Sequence, residues 1–322
     1  MGIDNQDNLL IVSSSPHLHG ENTVSTAMRD VLLALIPALI ASLYFFGLAA
    51  AKVVLTCVLV AILSEVLAQK IMKREVTVDD SSAVVTGLLL AFCLPATIPW
   101  WMAAVGAMVA IIIGKQMFGG LGNNIFNPAL VGRAVLVASW PVAMTSWVTP
   151  LDGVTTATPL GMLKQGLAAE QLPSLGQLFL GNVGGSLGET CAVALLLGAI
   201  YLLYKGHIDW RTPVSYLGTV FLLTAIVGAF KGAGLWYPLY HLLTGGLILG
   251  AFFMATDWVT SPLTKKGKLI FGLGCGFLTV LIRLQGGYPE GVCYSILLMN
   301  MVTPLIDRYT KPRVFGGVSK NA

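Results

Sequence analysis

Long apolar runs separated by short polar links dominate this chain of 322 residues. A helix that crosses the hydrocarbon core of a bilayer needs about 20 apolar residues, and each backbone polar group there must find its partner inside the protein. Hydrophobic residues make up 56% of the chain and charged residues only 11%, far from the averages of soluble domains. The sequence therefore excludes a soluble protein and predicts an all-α polytopic membrane protein.

Hydropathy predicts about ten transmembrane helices. Several of these segments are shorter than the roughly 20 residues of a full crossing, which is typical of broken helices. The segments lie near residues 31–48, 53–69, 82–95, 99–114, 128–141, 189–205, 213–230, 239–255, 268–284 and 291–306. Residues 1–28 lack a basic start, an apolar core and a cleavage site in sequence, so we expect a polar tail there and no signal peptide.

Lysine and arginine residues are unevenly distributed among the polar links. With the N-terminus inside, fourteen of the 19 lie in inner segments, four lie in outer segments and Arg133 falls within a span. The four outer residues are Lys52, Lys164, Lys231 and Arg283. Because Lys and Arg are retained on the cytoplasmic side during insertion, this distribution predicts cytoplasmic tails at 1–28 and 308–322. The loop at 142–188 is then extracytoplasmic.

Two short motifs recur along the chain. Thr86-Gly87 is echoed by Thr244-Gly245 after 158 residues, and Gly119-Gly120 is echoed by Gly286-Gly287 after 167 residues. Chance is the alternative explanation, because glycine pairs are common in a chain with 36 glycines.

The recurrence predicts two five-helix repeats, at 29–141 and 189–307. The longer link at 257–268 accounts for the difference between the two offsets. An odd number of crossings in each repeat inserts the second copy upside down, which predicts the inverted-repeat architecture of many transporters.

The predicted outer loop contains the polar stretch Asp152-Gly153-Val154-Thr155-Thr156-Ala157-Thr158. By itself it is typical of an exposed turn, because Asp and Thr side chains bond readily to nearby backbone. Its pattern nevertheless resembles the sequence recognised by a flavin transferase, which esterifies the phosphate of FMN to the last threonine. The resemblance implies Thr158 as the acceptor, with Asp152, Thr155 and Ala157 as matching positions. Thr156 departs from it, since glycine is usual there.

Segments over almost the whole chain resemble one family of membrane proteins. They are Ser14-Ser15-Pro16-His17, residues 80–87, Gly114-Lys115-Gln116 with the turn at 119–129, Met144-Thr145-Ser146-Trp147, Ala157-Thr158-Pro159-Leu160, Gly250-Ala251-Phe252-Phe253, Gly286-Gly287-Tyr288-Pro289 and Pro304-Leu305-Ile306-Asp307. The chain is similar to the RnfD proteins of the Rnf complex and, less closely, to the NqrB proteins of the sodium-translocating NADH:quinone reductase. Together these proteins form the NqrB/RnfD family.

The resemblance implies a component of a membrane-bound ferredoxin:NAD oxidoreductase, a redox-driven translocase that moves Na⁺ or H⁺. Covalent FMN on Thr158 would be one redox station, with Thr158 an anchor and not a catalytic residue. The expected partners are the Rnf proteins RnfA, RnfB, RnfC, RnfE and RnfG, the flavin transferase during maturation and membrane lipid, with no nucleic acid. The expected location is the cytoplasmic (inner) membrane of a prokaryote.

Two turns rich in Gly interrupt the apolar pattern, at 119–128 and 286–291. The first contains Asn124, Phe126 and Asn127, whose amides and ring suit a second, non-covalent flavin such as riboflavin, which the family resemblance also implies. The plainer alternative is that both turns only terminate helices.

Ionisable side chains within predicted spans are costly and are therefore usually paired or functional. Glu65 and Arg133 are two such residues. Either of them lines an ion path, or Glu65 snorkels toward the basic residues that follow it.

The five cysteines never approach a Cys-x-x-Cys spacing, so we expect packing residues and no metal site. His17 and His19 form a pair in the N-terminal tail without a third ligand nearby. We expect these histidines, and likewise His207 and His241, to be solvated or to contact partners.

Two other functions suit an inverted-repeat membrane fold. One is a channel or transporter of small solutes, and the other is a structural scaffold for neighbours that carry flavin. The stretch that ends at Thr158 favours the redox protein over both.

Overall fold

A computed structural model describes residues 23–150, 153–166, 171–287 and 290–311. The protein is mostly helical, at 70%. The helices are α1 Val24–Ile71, α2 Ser82–Phe92, α3 Trp100–Ile112, α4 Pro128–Ser139, α5 Pro141–Met144, α6 Pro159–Lys164, α7 Leu175–Leu180, α8 Ala192–Lys205, α9 Arg211–Phe230, α10 Trp236–Leu243, α11 Leu247–Leu249, α12 Lys265–Gln285 and α13 Val292–Tyr309. Short 3₁₀ turns lie at Val78–Asp80 and Gln116–Phe118, and a π-helical turn at Gly250–Met254 continues α11.

Helix α1 is a hairpin of two antiparallel arms. Its 48 residues would extend about 72 Å if straight. The Ser25 hydroxyl near its start nevertheless donates to the carbonyl oxygen of Asp79, beyond its end, at 3.2 Å. The chain therefore doubles back at Gly47, whose backbone angles (φ 56°, ψ −133°) are readily adopted only by glycine.

Each arm of α1 is about 35 Å long, enough for one crossing. The sequence placed the boundary between the first two spans at 49–52, whereas the reversal lies just before it, at Gly47, and residues 49–52 are helical. Ala49, Ala50 and Ala51 favour a helix, and Gly47 alone provides the reversal.

Four described helices are long and apolar enough to cross a membrane: α1, α3 with the 3₁₀ turn that follows it, α9 and α12. The pair α10 and α11, bent by 66°, makes a fifth if it is one broken span. The shorter apolar helices α2, α4 and α8 cannot cross alone. Each of the ten predicted segments is helical over most of its length, but the helix lengths do not establish ten crossings.

The ends of the short helices meet inside the protein. The extended stretch before α8 pairs with the stretch after α2, since the N–H groups of Leu187 and Gly188 donate to the carbonyl oxygens of Leu94 and Phe92, at 3.0 and 2.9 Å. Backbone groups that leave a helix at membrane depth need such partners, because the lipid offers none.

Helices α9 and α12 pack closely through glycine. A Cβ on Gly272 would overlap the Ser215 hydroxyl and lie 2.6 Å from the carbonyl oxygen of Thr212. A Cβ on Gly276 would lie 2.9 Å from the carbonyl oxygen of Tyr216. Small residues at such contacts allow backbones to approach and gain dispersion energy, which is the main attraction between helices in lipid.

The described part of the segment at 142–188 is folded. Strands β1 (Trp147–Val148) and β2 (Thr155–Thr156) pair antiparallel, a two-residue ladder in a protein that is otherwise helical, as the sequence predicted. A separate small apolar cluster forms around Leu172, Leu178, Val183 and Tyr240. The polar stretch that the sequence marked therefore lies in a packed structure.

Contacts define the two ends of the helix bundle. At one end, Asp30 near the start of α1 pairs with His207, which follows α8. The hydroxyl of Thr264, just before α12, also bonds there to the hydroxyl of Thr310, just after α13. At the other end, Lys164, the last residue of α6, donates to the carbonyl oxygen of Gly286, just after α12. The segment at 142–188 thus lies at the opposite end from the start of α1 and the end of α13.

We expect Gly272→Ala to lower the stability of the protein by about 1–3 kcal/mol, because the added methyl group forces α9 and α12 apart. The matched control is Gly218→Ala within α9, where nothing lies within 4 Å of an added Cβ. That change should be neutral or stabilise by up to about 1 kcal/mol. Thermal unfolding in detergent measures both, and equal effects of the two changes would contradict the packing described.

Candidate functional site

Thr158 begins helix α6. Its hydroxyl oxygen accepts a hydrogen bond from the N–H of Gly161 at 3.1 Å, and Pro159 occupies the first helical position. Thr and Pro are favoured at these two positions, because the hydroxyl caps a free N–H and proline has none to satisfy. Thr158 is only 6% exposed, so it is not the residue of an open turn.

The other residues of the flavin-type motif are placed differently. Thr155 lies exposed in β2, paired with Val148, and Ala157 is half-buried beside Thr158. Asp152 lies outside the described residues. The structure therefore brings Ala157 and Thr158 together, whereas Thr155 stays at the surface.

Thr158 opens onto a cavity of about 210 Å³, here called the Thr158 cavity. Most of its wall is apolar or aromatic, and one guanidinium group lines it. Its lining residues include Arg133, Val137, Met144, Trp147, Glu290 and Tyr294. Glu290 and its neighbour Gly291 belong to the Gly-rich turn at 286–291 that the sequence marked as a cofactor-binding candidate.

Arg133 of α4 is an ion-paired residue at this cavity. Its Nη2 donates to Glu290, and its Nη1 lies 3.8 Å from Oε1 of Glu189. All three side chains are largely buried. A buried arginine within a span is costly unless it is paired, and these two carboxylates lower that cost. The sequence did not single out Glu189 or Glu290 as its partners, because both are distant from Arg133 along the chain and lie at the edges of apolar runs.

The groups at the Thr158 cavity fit a phosphate-linked flavin. The threonine hydroxyl is the atom to be esterified, and a guanidinium such as that of Arg133 pairs well with phosphate oxygens. The apolar and aromatic wall that includes Trp147 suits a planar ring, as in most cofactor pockets.

A second cavity, of about 100 Å³, lies near the other end of the bundle and is here called the asparagine cavity. Asn124 and Asn127 line it, whereas Phe126 is half-buried and not part of its wall. Asn127 caps α4 through the N–H of Ala129 and donates to the carbonyl oxygen of Met254 at 3.3 Å. The buried Oδ1 of Asn124 has no partner in the described part of the chain.

Glu65 forms a buried ion pair. Its carboxylate accepts from Lys115 at 2.6 Å and from Gln116 at 2.9 Å, and Lys115 also donates to Ser82. Glu65 is fully buried, so it does not snorkel to the interface. Lys115 lies in the link between α3 and α4, where the sequence placed it, but it is buried there and lines the asparagine cavity.

Arg283 was also predicted in a polar link, on the outer side, and it is buried instead. Its guanidinium donates to the carbonyl oxygens of His241 at 2.6 Å and Thr244 at 2.9 Å. These carbonyls lose their helical partners where α10 ends, so Arg283 caps a break at membrane depth.

The described histidine and cysteine residues do not form clusters that could hold a metal ion. His207 pairs with Asp30 at 2.7 Å, and His241 is buried against the ring of Tyr237. Of the two expected environments for these histidines, solvent or a partner protein, solvent is wrong for both. His17 and His19 lie outside the described residues. The five cysteines are free. Within the described ranges no group of three or more His, Cys, Asp or Glu residues is placed to hold a metal ion.

Comparison with known proteins identifies the family of this chain. A family model described as the NQR2, RnfD, RnfE family matches residues 11–316. The D subunit of the proton-translocating ferredoxin:NAD(+) oxidoreductase complex of Clostridium ljungdahlii is 50% identical over 320 residues, which cover 96% of this chain and 97% of the relative.

Two further relatives extend the likeness. The D subunit of the Na(+)-translocating ferredoxin:NAD(+) oxidoreductase complex of Acetobacterium woodii is 51% identical over 311 residues, 95% of each chain. The D subunit of the ion-translocating oxidoreductase complex of Escherichia coli is 39% identical over 345 residues, covering 95% of this chain and 98% of the relative. With a family match over nearly its whole length and relatives this similar end to end, the chain belongs to the NQR2, RnfD, RnfE family.

Proposed function

We propose that this chain is the flavin-carrying membrane component of an Rnf-type ferredoxin:NAD oxidoreductase that couples electron flow to the transport of Na⁺ or H⁺. FMN is esterified through its phosphate to Thr158. The observation that carries the proposal is the placement of the motif's last threonine at a cavity with an arginine and an aromatic wall. The relatives named as D subunits of such complexes support the same assignment.

The residues around Thr158 have distinct tasks in this proposal. Thr158 anchors the phosphate, and the guanidinium of Arg133, which also pairs with Glu189 and Glu290, would donate hydrogen bonds to it. Trp147 and Met144 exclude water from the ring, which limits side reactions. When bound, FMN supplies the electron transfer, while the protein sets its position and electrostatics.

Glu189 and Glu290 keep Arg133 in place. One carboxylate precedes α8 and the other lies in the turn before α13, so the guanidinium ties α4 to the segments that enter these two helices. Because all three groups are fixed by packed elements, the cation is pre-organised for a phosphate before one arrives.

We further propose that the asparagine cavity holds a second flavin. Asn124 and Asn127 line it, and the buried Oδ1 of Asn124 is an acceptor without a partner among the described residues, whereas the amide of Asn127 already caps α4. Phe126 is not part of this wall, so we assign it no contact with the ring.

The ten helical segments form two inverted five-helix repeats in this proposal. Thr86 in α2 and Thr244 at the break after α10 then occupy equivalent third segments. Helices α3 and α12 both end before a Gly-Gly pair, and they run in opposite directions through the bundle. Opposite directions of equivalent helices are what inversion requires.

The same proposal fixes the surroundings of the chain. It is a multi-pass protein of a prokaryotic cytoplasmic membrane, with both tails inside and the segment at 142–188 outside. Its partners are the other Rnf proteins, RnfA, RnfB, RnfC, RnfE and RnfG, and the flavin transferase that modifies Thr158 after export of the loop.

Thr158→Val should abolish covalent flavin, because valine matches the shape of threonine but has no hydroxyl to esterify. The full-length protein is made in a host with the transferase, and flavin is measured by in-gel fluorescence and by intact mass. Thr156→Val, two residues away, removes a neighbouring hydroxyl and should keep the flavin. A colourless wild-type protein under these conditions would contradict the proposal and favour the solute channel or the scaffold, which flux assays separate.

We expect Arg133→Gln combined with Glu290→Gln to reduce flavin attachment about tenfold or more, since a hydrogen bond to a charged group contributes about 1.5–3 kcal/mol. The paired change avoids leaving Glu290 buried without its cation, which would cost about 3–5 kcal/mol. Glu290→Gln alone keeps Arg133 and should keep attachment. Flavin per protein after a fixed time with the transferase is the measurement, and full labelling of the double variant would exclude a role for Arg133.

The orientation is tested by labelling single cysteines in a cysteine-free chain with an impermeant thiol reagent in intact cells. Val154→Cys, in the segment at 142–188, should react without permeabilisation. Tyr309→Cys, at the opposite end of the bundle, should react only after it. Both side chains are well exposed, at 62% and 80%, so accessibility to the reagent reports the side of the membrane. The reverse pattern would rule out an outward flavin site.

A further inference from the structure

A cavity of about 550 Å³ opens between the loop before α9 and the loop before α12, and the proposed redox function does not use it. We call it the basic cavity. It lies at the end of the bundle that carries the start of α1 and the end of α13. Arg211 and Lys268 line it together with Asp209, and Trp210, Trp258 and Leu263 complete its wall.

The charges at this cavity are not balanced. Arg211 Nη1 lies 3.0 Å and 3.1 Å from the two carboxylate oxygens of Asp209, and Lys268 Nζ lies 3.3 Å from one of them. Burial by itself would raise the pKa of Asp209. The backbone N–H of Arg211 and the ammonium group of Lys268 outweigh this effect, so the pKa of Asp209 is lowered below its ordinary value. A single ionised carboxylate thus faces two cations.

Two more cations, Lys265 and Lys266, are exposed in the first turn of α12, close in sequence to the cavity-lining Leu263. The carboxylate of Asp307 accepts from the N–H of Leu263 at 3.1 Å, so cations still outnumber carboxylates in this region. Arg211 carries five side-chain N–H donors, and its side-chain bonds to Asp209 use one nitrogen of the guanidinium. The cavity and its surroundings therefore attract an anion and have donors left to bind it.

The wall of the basic cavity also has an exposed apolar part. Trp210 is 54% exposed and its ring lies 5.0 Å from the guanidinium carbon of Arg211. Leu263 is 81% exposed, and Trp258 is exposed as well. Tryptophan with nearby basic residues is typical of the membrane–water interface.

An apolar stripe leads away from the cations. On α12 the exposed residues Leu269, Leu273, Phe277 and Leu281 follow Lys265 at intervals of four, so they form a stripe that winds slowly, by about 40° at each step, around the exposed side of the helix. From Lys265 to Leu281 this stripe is about 24 Å long. A soluble anion would use the cations alone, whereas an amphipathic ligand uses both the cations and the stripe.

We propose that the basic cavity binds the phosphate of an anionic phospholipid, with the acyl chains against the exposed face of α12. Arg211 and Lys268 pair with the phosphate, Lys265 adds charge nearby, and Trp210 packs beside the glycerol region. This site is separate from Thr158 and does not depend on the flavin. It would fix the relative position of the α9 and α12 starts through a bound lipid.

The test uses the delipidated full-length chain in detergent, with phosphatidylglycerol or phosphatidylcholine added and bound lipid counted by native mass spectrometry. We expect preference for phosphatidylglycerol. Arg211→Gln combined with Lys268→Gln should weaken its binding about thirtyfold, since each cation near an anionic lipid contributes about 1 kcal/mol, or about fivefold. Lys265→Gln, an exposed change that does not disturb packing, should weaken it about fivefold.

The matched control is Lys70→Gln combined with Lys73→Gln, which removes the same charge at the same end of the bundle away from the cavity. It should keep lipid binding, and so should Thr158→Val, whose outcome tests the redox proposal separately. Equal binding of the two lipids, or equal weakening by the control, would overturn the lipid site. Binding of glycerol phosphate as tight as that of the lipid would make it a site for a free anion. Loss of co-purified Rnf proteins with unchanged lipid binding would make it a protein interface.

Discussion

The need to satisfy every backbone hydrogen bond without water governs this structure. Helices α2 and α10 end, and α8 begins, inside the protein, where lipid supplies no donors or acceptors. Each break is closed from within: the residues after α2 pair with those before α8, and Arg283 donates to the carbonyl oxygens at the end of α10. Asn127 links the start of α4 to the end of the π-helical turn. The broken helices are stable only because their partners lie far away in the sequence.

The same breaks create the places where chemistry is possible. The Thr158 cavity lies where α4, α6 and the start of α13 meet, and the asparagine cavity lies beside the 3₁₀ turn after α3 and the start of α4. Each contains a buried cation held by carboxylates, Arg133 in the first and Lys115 in the second. A buried pair of this kind adds little net stability, but it fixes a charge in one position. In the proposed function these fixed charges face the flavins.

The sequence was informative where a residue's role is local. The apolar runs identify the longer helices, but not the short helices α5, α6 and α7 of the segment at 142–188. The alternation of apolar runs and basic links also agrees with the start of α1 and the end of α13 lying at one end of the bundle. Predictions failed where distant residues decide the outcome. Lys115 and Arg283 look like link residues in the sequence, and only their partners Glu65 and the α10 carbonyls explain their burial.

By itself the sequence determined a helical membrane protein of this family and drew attention to Thr158, the proposed flavin acceptor, because hydropathy and short motifs are properties of neighbouring residues. The tertiary structure decided that Thr158 is buried at a cavity, that Glu189 and Glu290 hold Arg133, and that α1 folds back at Gly47. Lys268 of α12 also meets Asp209 at the basic cavity only after α9 and α12 pack together. These arrangements depend on packing between segments that are far apart in the chain, and no local pattern encodes which of them will touch.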